Sequence, residues 1–162
     1  MKTTLSPAIF TPIIALSTLL ESPAAIWKVP GSAAQIQAAI SRAAPGDTVL
    51  VQPGTYRESV RLKPGIILRS VGNDTLGKIG PQRAESTIID GSGLPVTAAG
   101  VIMAEGAVLD GFTVANFGNY DDAKWRRHHA TSGNQQSHDH IGVPGNAGIL
   151  IQGVECTVKN NI

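Results

Sequence analysis

Cysteine is almost missing from this chain. Cys156 is the only one in 162 residues, which excludes an intrachain disulfide framework and any Cys-x-x-Cys site. Aromatic residues make up only 4% of the sequence, too few for a core built on large rings. Charge is sparse as well: 15% of residues are charged, the formal net charge is +1, and no run carries one sign. Composition therefore offers no basis for nucleic-acid binding or for a polybasic membrane patch. The sequence also lacks Gly-x-Ser-x-Gly and a phosphate-cradling glycine loop, so serine-hydrolase and nucleotide-binding readings have no motif to rest on.

What is present is Gly, Ile, Val and Asn, the makings of a core of small and branched side chains. A chain of this length is one domain by the usual prior and can bury a real core.

Residues 1–24 read as an export signal. Lys2 supplies a minimal positive start, Ala8 to Leu20 are mostly apolar, and Ser22-Pro23-Ala24 puts small residues where a signal peptidase reads. Pro7, Pro12 and the short run argue against a membrane-spanning helix. The alternative is a disordered apolar tail. The signal reading predicts a secreted, periplasmic or cell-surface protein with no membrane attachment once the signal is removed.

Residues 25–46 form an N-terminal segment with one helix. Ser32-Ala-Ala-Gln35 has capping-box spacing, and Ile36, Ala39, Ile40 and Ala43 then recur at helical intervals until Pro45-Gly46. Such a helix can cover an open apolar end and block edge-to-edge association.

From residue 47 to 162 the pattern is β. Strands are expected near 48–51, 59–62, 66–70, 87–89, 101–104, 108–109, 112–114, 148–151 and 157–159. Pro53-Gly54, Lys63-Pro-Gly65, Asp90-Gly91, Asp110-Gly111 and Asn160-Asn161 punctuate them as turns. Hairpins through Asp-Gly would give an antiparallel sandwich. Short strands at uneven spacing after a leading helix suit a parallel β-helix better. Cys156 alternates with Val154 and Val158, which predicts a buried, inert thiol. The segments 47–62 and 148–162 read as coils of one solenoid. A coil needs a stacked neighbour or a polar cap, and nothing follows Ile162, so the expectation is a chain truncated at its C-terminal side.

Two stretches carry a family resemblance: Pro30 to Ile40, then Ala44-Pro-Gly-Asp-Thr-Val-Leu-Val-Gln-Pro-Gly-Thr-Tyr-Arg-Glu58. Together they resemble the N-terminal cap and first coil of the right-handed parallel β-helix, pectate-lyase-like superfamily. Thr87-Ile-Ile-Asp-Gly-Ser-Gly93 and Leu109-Asp-Gly-Phe-Thr-Val114 continue the likeness. The resemblance covers about residues 30 to 118 and resumes at 147 to 162, and it implies an all-β right-handed parallel β-helix. It also implies an acidic polysaccharide of the pectin or alginate kind as partner. Lyase-like or pectinesterase-like chemistry would follow, with calcium or basic side chains stabilising developing charge. The alternative is a non-catalytic surface or adhesion solenoid.

Gly54-Thr55-Tyr56-Arg57-Glu58 also resembles an early Gly-x-Tyr-x-Glu motif of pectin methylesterases. The stretch Asn146-Ala-Gly-Ile-Leu150 has asparagine where that family has its glutamine, and the family's aspartate pair and arginine have no counterpart here. The plainer reading of residues 54–58 is a turn glycine, a partly buried tyrosine and a solvated charge pair. No catalytic residue is carried over.

The stretch 116–146 exceeds ordinary loop length. It holds all four histidines, together with Tyr120, Trp125, Arg126 and Arg127. As a saccharide-facing loop it would stack Tyr120 and Trp125 on sugar faces and pair Arg126 and Arg127 with uronate carboxylates. As a metal site it would use His128, His129, His138, Asp139 and His140. As a mobile polar loop it would do neither. Asp90 and Asp110 precede glycines at strand ends, where a turn role explains them more simply than calcium.

Overall fold

The computed structural model describes residues 23–95, 98–118 and 147–162, together with the single positions 123, 126 and 130. These build a mostly β structure in which every pairing between named strands is parallel. The order is β1 (Ile26–Val29), α1 (Ile36–Arg42), β2 (Thr48–Val51), β3 (Gly54–Tyr56), β4 (Val60–Arg61), β5 (Ile67–Ser70), α2 (Gln82–Ser86) and β6 (Thr87–Asp90). After these come β7 (Val101–Ile102), β8 (Val108–Asp110), β9 (Thr113–Ala115), β10 (Ile149–Leu150) and β11 (Thr157–Lys159). An antiparallel sandwich is thereby excluded for this part of the chain.

Three sheets result, in the orders β1-β2-β5-β8-β11, β3-β6-β9 and β10-β7-β4. The chain visits them in rotation: β2, β3, β4, then β5, β6, β7, then β8, β9, β10, and β11 returns to the first sheet.

The period-2 alternation of strands fixes which side chains meet. In β2, Val49 and Val51 are buried while Thr48 and Leu50 are half-buried. In the first sheet, register stacks Trp27, Val49, Leu68, Leu109 and Val158 in one column. The second sheet stacks Tyr56, Ile89 and Val114. The third stacks Val60, Val101 and Ile149. The three columns, Val158 apart, converge on a single apolar core. Each fully buried aliphatic side chain there contributes about 1.5–3 kcal/mol.

Helix α1 buries Ile36, Ala39 and Ile40 and packs on β1, β2 and β4, as the apolar periodicity predicts. The edge of the first sheet beside β2 is occupied by β1, so the helix does not carry the edge-blocking role alone.

Two local expectations need correction. The capping box does not form: the N-cap is Gln35, without a side-chain cap. Ser32 Oγ instead accepts from the Lys28 N–H at 3.1 Å. The free donors of the first turn go to Glu58, whose carboxylate oxygens accept from the Ile36 and Gln37 N–H groups at 2.9 Å each. An anion from a neighbouring turn satisfies the positive end of the helix better than a local serine does. Cys156 is half-buried rather than buried. It lies just before β11, and Val158 is exposed within that strand.

Candidate functional site

The second sheet ends at a corner from which two excursions leave the stack. Residues 91–100 leave after β6, and the long stretch beginning at Asn116 leaves after β9. Four polar groups meet there. Asp90 Oδ1 accepts from the Ser92 N–H at 3.0 Å, the Ser92 hydroxyl at 2.8 Å and Asn116 Nδ2 at 2.7 Å. Its other oxygen lies 3.5 Å from Arg57 Nε. The Asn116 amide, followed by the two Ser92 donors, holds the Asp90 carboxyl down at about 2.

Asn116 adopts φ 62°, a left-handed conformation that asparagine tolerates better than most residues. Phe117 closes the base of both excursions. A Cβ on Gly91 would stand 2.8 Å from the Phe117 ring, and one on Gly100 would stand 2.7 Å from it. Both positions therefore need glycine for close approach rather than for a turn. The Arg57 side chain remains 72% exposed beside this anchor.

A second polar cluster fixes the excursion between β5 and β6. Arg83, in α2, is 1% exposed. Its Nε donates to Asp74 at 2.5 Å, Nη1 to the Asp110 carbonyl at 2.7 Å and to Ser70 Oγ at 3.2 Å, and Nη2 to Asp110 Oδ1 at 2.5 Å. Burial pulls its pKa down, but the bonds to Asp74 and Asp110 outweigh burial and raise it. Burial pushes the Asp110 carboxyl up, while Arg83 and then Asn160 overcome that and lower it. The guanidinium occupies the space a Gly111 side chain would need. With its donors engaged, this cluster is a structural latch rather than a ligand site.

The expected roles sort accordingly. Asp90 makes the short-range turn bonds predicted for it, whereas Asp110 is held by Arg83 and Asn160 rather than by a local turn. Among the described residues no group of three or more His, Cys, Asp or Glu side chains is placed to hold a metal ion. The Gly54–Glu58 motif is structural in a different way from the one expected. Gly54 lies in β3, Tyr56 donates its hydroxyl to the Gln52 carbonyl at 2.9 Å, and Arg57 reaches Asp90. Glu58, read as part of a solvated charge pair, caps α1 instead.

Of the loop residues, Arg126 is exposed. Tyr120, Trp125 and Arg127, and the histidine set His128, His129, His138, Asp139 and His140, lie outside the described residues. Asn146 does too.

Sequence reasoning missed Arg57, Arg83 and Asn116 as members of polar networks. Each has an acidic partner 26 to 33 positions away, beyond any local motif, although Arg83 also bonds Asp74 and Ser70 only 9 and 13 positions back. The single available signal was Asp110-Gly111, a glycine where the neighbouring guanidinium excludes a side chain.

Among the described residues no helix is long and apolar enough to cross a membrane. Compared with models of known protein families, with curated proteins and with solved structures, the chain has no match.

Proposed function

We propose that the three parallel sheets are the faces of a right-handed parallel β-helix of the pectate-lyase-like kind. The protein, exported, binds an acidic polysaccharide of the pectin or alginate class. The binding surface is the long segment carrying Tyr120, Trp125, Arg126 and Arg127, together with Arg57 at its base. The observation that carries this reading is the anchored corner: Asn116 on Asp90, and Phe117 over Gly91 and Gly100, set the root of that segment beside an exposed guanidinium. Aromatic rings stack on sugar faces, and guanidinium groups pair with carboxylates through two parallel bonds. Carrying the binding residues on a rigid root lowers the ordering cost of association.

Binding without bond cleavage is the favoured form of this reading. Among the described residues the buried acids Asp47, Asp90 and Asp110 are all taken up by hydrogen-bond donors, so none of these three is poised as a general base. Calorimetric titration with oligogalacturonate, and with a neutral oligosaccharide of equal length, tests the proposal. Heat with the anionic ligand alone supports it. Equal or absent heats with both ligands refute it.

A further inference from the structure

The buried carboxylate of Asp47 is aimed at the backbone of Ala25. Asp47 is 7% exposed. Its Oδ1 accepts from the Ala25 N–H at 2.7 Å, while Oδ2 accepts from Trp27 Nε1 at 2.9 Å and from the Ala44 N–H at 2.8 Å. On its other side Ala25 is pinned by its carbonyl, which accepts from the Thr48 N–H at 2.9 Å. Pro23, Ala24 and Ala25 are exposed and lie outside regular structure, just ahead of β1. A hollow of about 640 Å³ opens against Ala24, Ala25, Trp27, Arg42, Pro45 and Asp47. Ser22-Pro23-Ala24 carries the small residues that a leader peptidase reads.

We propose that the Ala24–Ala25 bond is the processing site of an export leader, and that Asp47 is a built receptor for the α-ammonium released there. Hydrolysis adds water across that peptide bond: the Ala24 carbonyl takes the hydroxyl and becomes a carboxylate. The Ala25 nitrogen gains the protons and becomes an ammonium. The nitrogen that Asp47 already holds thus changes from a neutral donor to a charged one without moving. The hollow beside Ala25 leaves room for water to solvate its two further N–H groups. A neutral hydrogen bond becomes an ion pair, and charge-assisted bonds of this kind are roughly twice as strong as neutral ones. The hold of Asp47 on the N-terminus, present before cleavage, is thereby strengthened once the leader has gone.

The charged groups facing this position are Asp47 itself, Arg42 on the rim of the hollow, and Lys63, whose ammonium bonds the Ala43 carbonyl. The two cations oppose the ammonium, but Asp47 is in direct contact with it. The α-amino pKa therefore rises in the folded state. A raised pKa adds stability that is fully present below the unfolded value, about 8, and is lost as pH rises through the folded value.

The test secretes the full 162-residue chain from a host with a working export pathway. Intact mass identifies the new N-terminus, and a nitrogen-15 NMR titration follows the Ala25 α-amino group in the wild type and in Asp47→Asn. The expected product starts at Ala25, with an α-amino pKa about one unit above the ordinary range that returns to that range in Asp47→Asn. Retention of the leader, cleavage at another bond, or an ordinary α-amino pKa in the wild type overturns the proposal. Should Asp47→Asn fail to fold, the wild type is compared with its Nα-acetylated form. The free amine is expected to melt higher at pH 7, with the gap closing by pH 10, and equal melting at both values would contradict the ion pair.

Discussion

The guanidinium of Arg83 grips the carboxylate of Asp110 across 27 positions of sequence, with Nη2 2.5 Å from Oδ1. The pair is nearly sealed, at 0% and 4% side-chain exposure. It ties α2, at the end of the excursion after β5, to the last residue of β8. Without the guanidinium the nearly sealed Asp110 carboxylate keeps only Asn160 and, at 3.7 Å, Arg69, so the loss falls toward the lower end of the about 3–5 kcal/mol for breaking a buried pair.

Arg83→Met is expected to lower stability by that order, measured as a loss in urea midpoint without a change in slope. Arg83→Lys should not rescue it, because an ammonium cannot reach Asp74, Ser70 and Asp110 together. Wild-type stability in the lysine variant would show that the fork geometry does not matter.

Glu58 caps α1 from a neighbouring turn. Glu58→Ala strips partners from two first-turn N–H groups and should cost about 0.5–2 kcal/mol, the range for loss of a cap. Ser32→Ala should cost less, since Ser32 makes no cap bond to the helix. Thermal melts followed by circular dichroism decide between them, and the reverse order would restore the local capping box.

Acid should loosen the corner at Asp90. Its carboxyl is held at about 2 in the folded protein by Asn116 and Ser92, against an ordinary value near 3.9. A depressed pKa gives stability that is present above the unfolded value and lost as pH falls through the folded one. Stability should therefore fall between about pH 4 and pH 2. In Asp90→Asn that part of the slope should vanish, as read from denaturant midpoints at each pH. An unchanged slope would mean that the Asp90 contacts do not contribute.

The sequence made much of this fold readable where order is local. Nine expected strand positions correspond to strands because alternating Val, Ile and Leu residues were bounded by Gly, Asp and Pro, as at Thr48–Val51 and Ile67–Ser70. What escaped had no such signature. Ile26–Val29 follows directly on the export-signal pattern. Gly54–Tyr56 begins at a Pro-Gly pair that reads as a turn. Gln82–Ser86 is too short to show a helical period. The polar networks were hidden for a different reason. Glu58 and Ile36, or Asn116 and Asp90, meet only because strands distant in sequence pair in register, and that register is not written in local spacing. The loop residues Tyr120, Trp125 and Arg127 lie outside the described structure, so their proposed role rests on residue chemistry and on the anchored start of the segment at Asn116 and Phe117.

The most direct measurement is the affinity of the full chain for oligogalacturonate, taken for the wild type and for the Trp125→Ala, Arg126→Ala double variant. Binding by the wild type is expected, with a loss of at least about tenfold, ~1.4 kcal/mol, in a variant that remains folded. Equal affinity in the two proteins would contradict it.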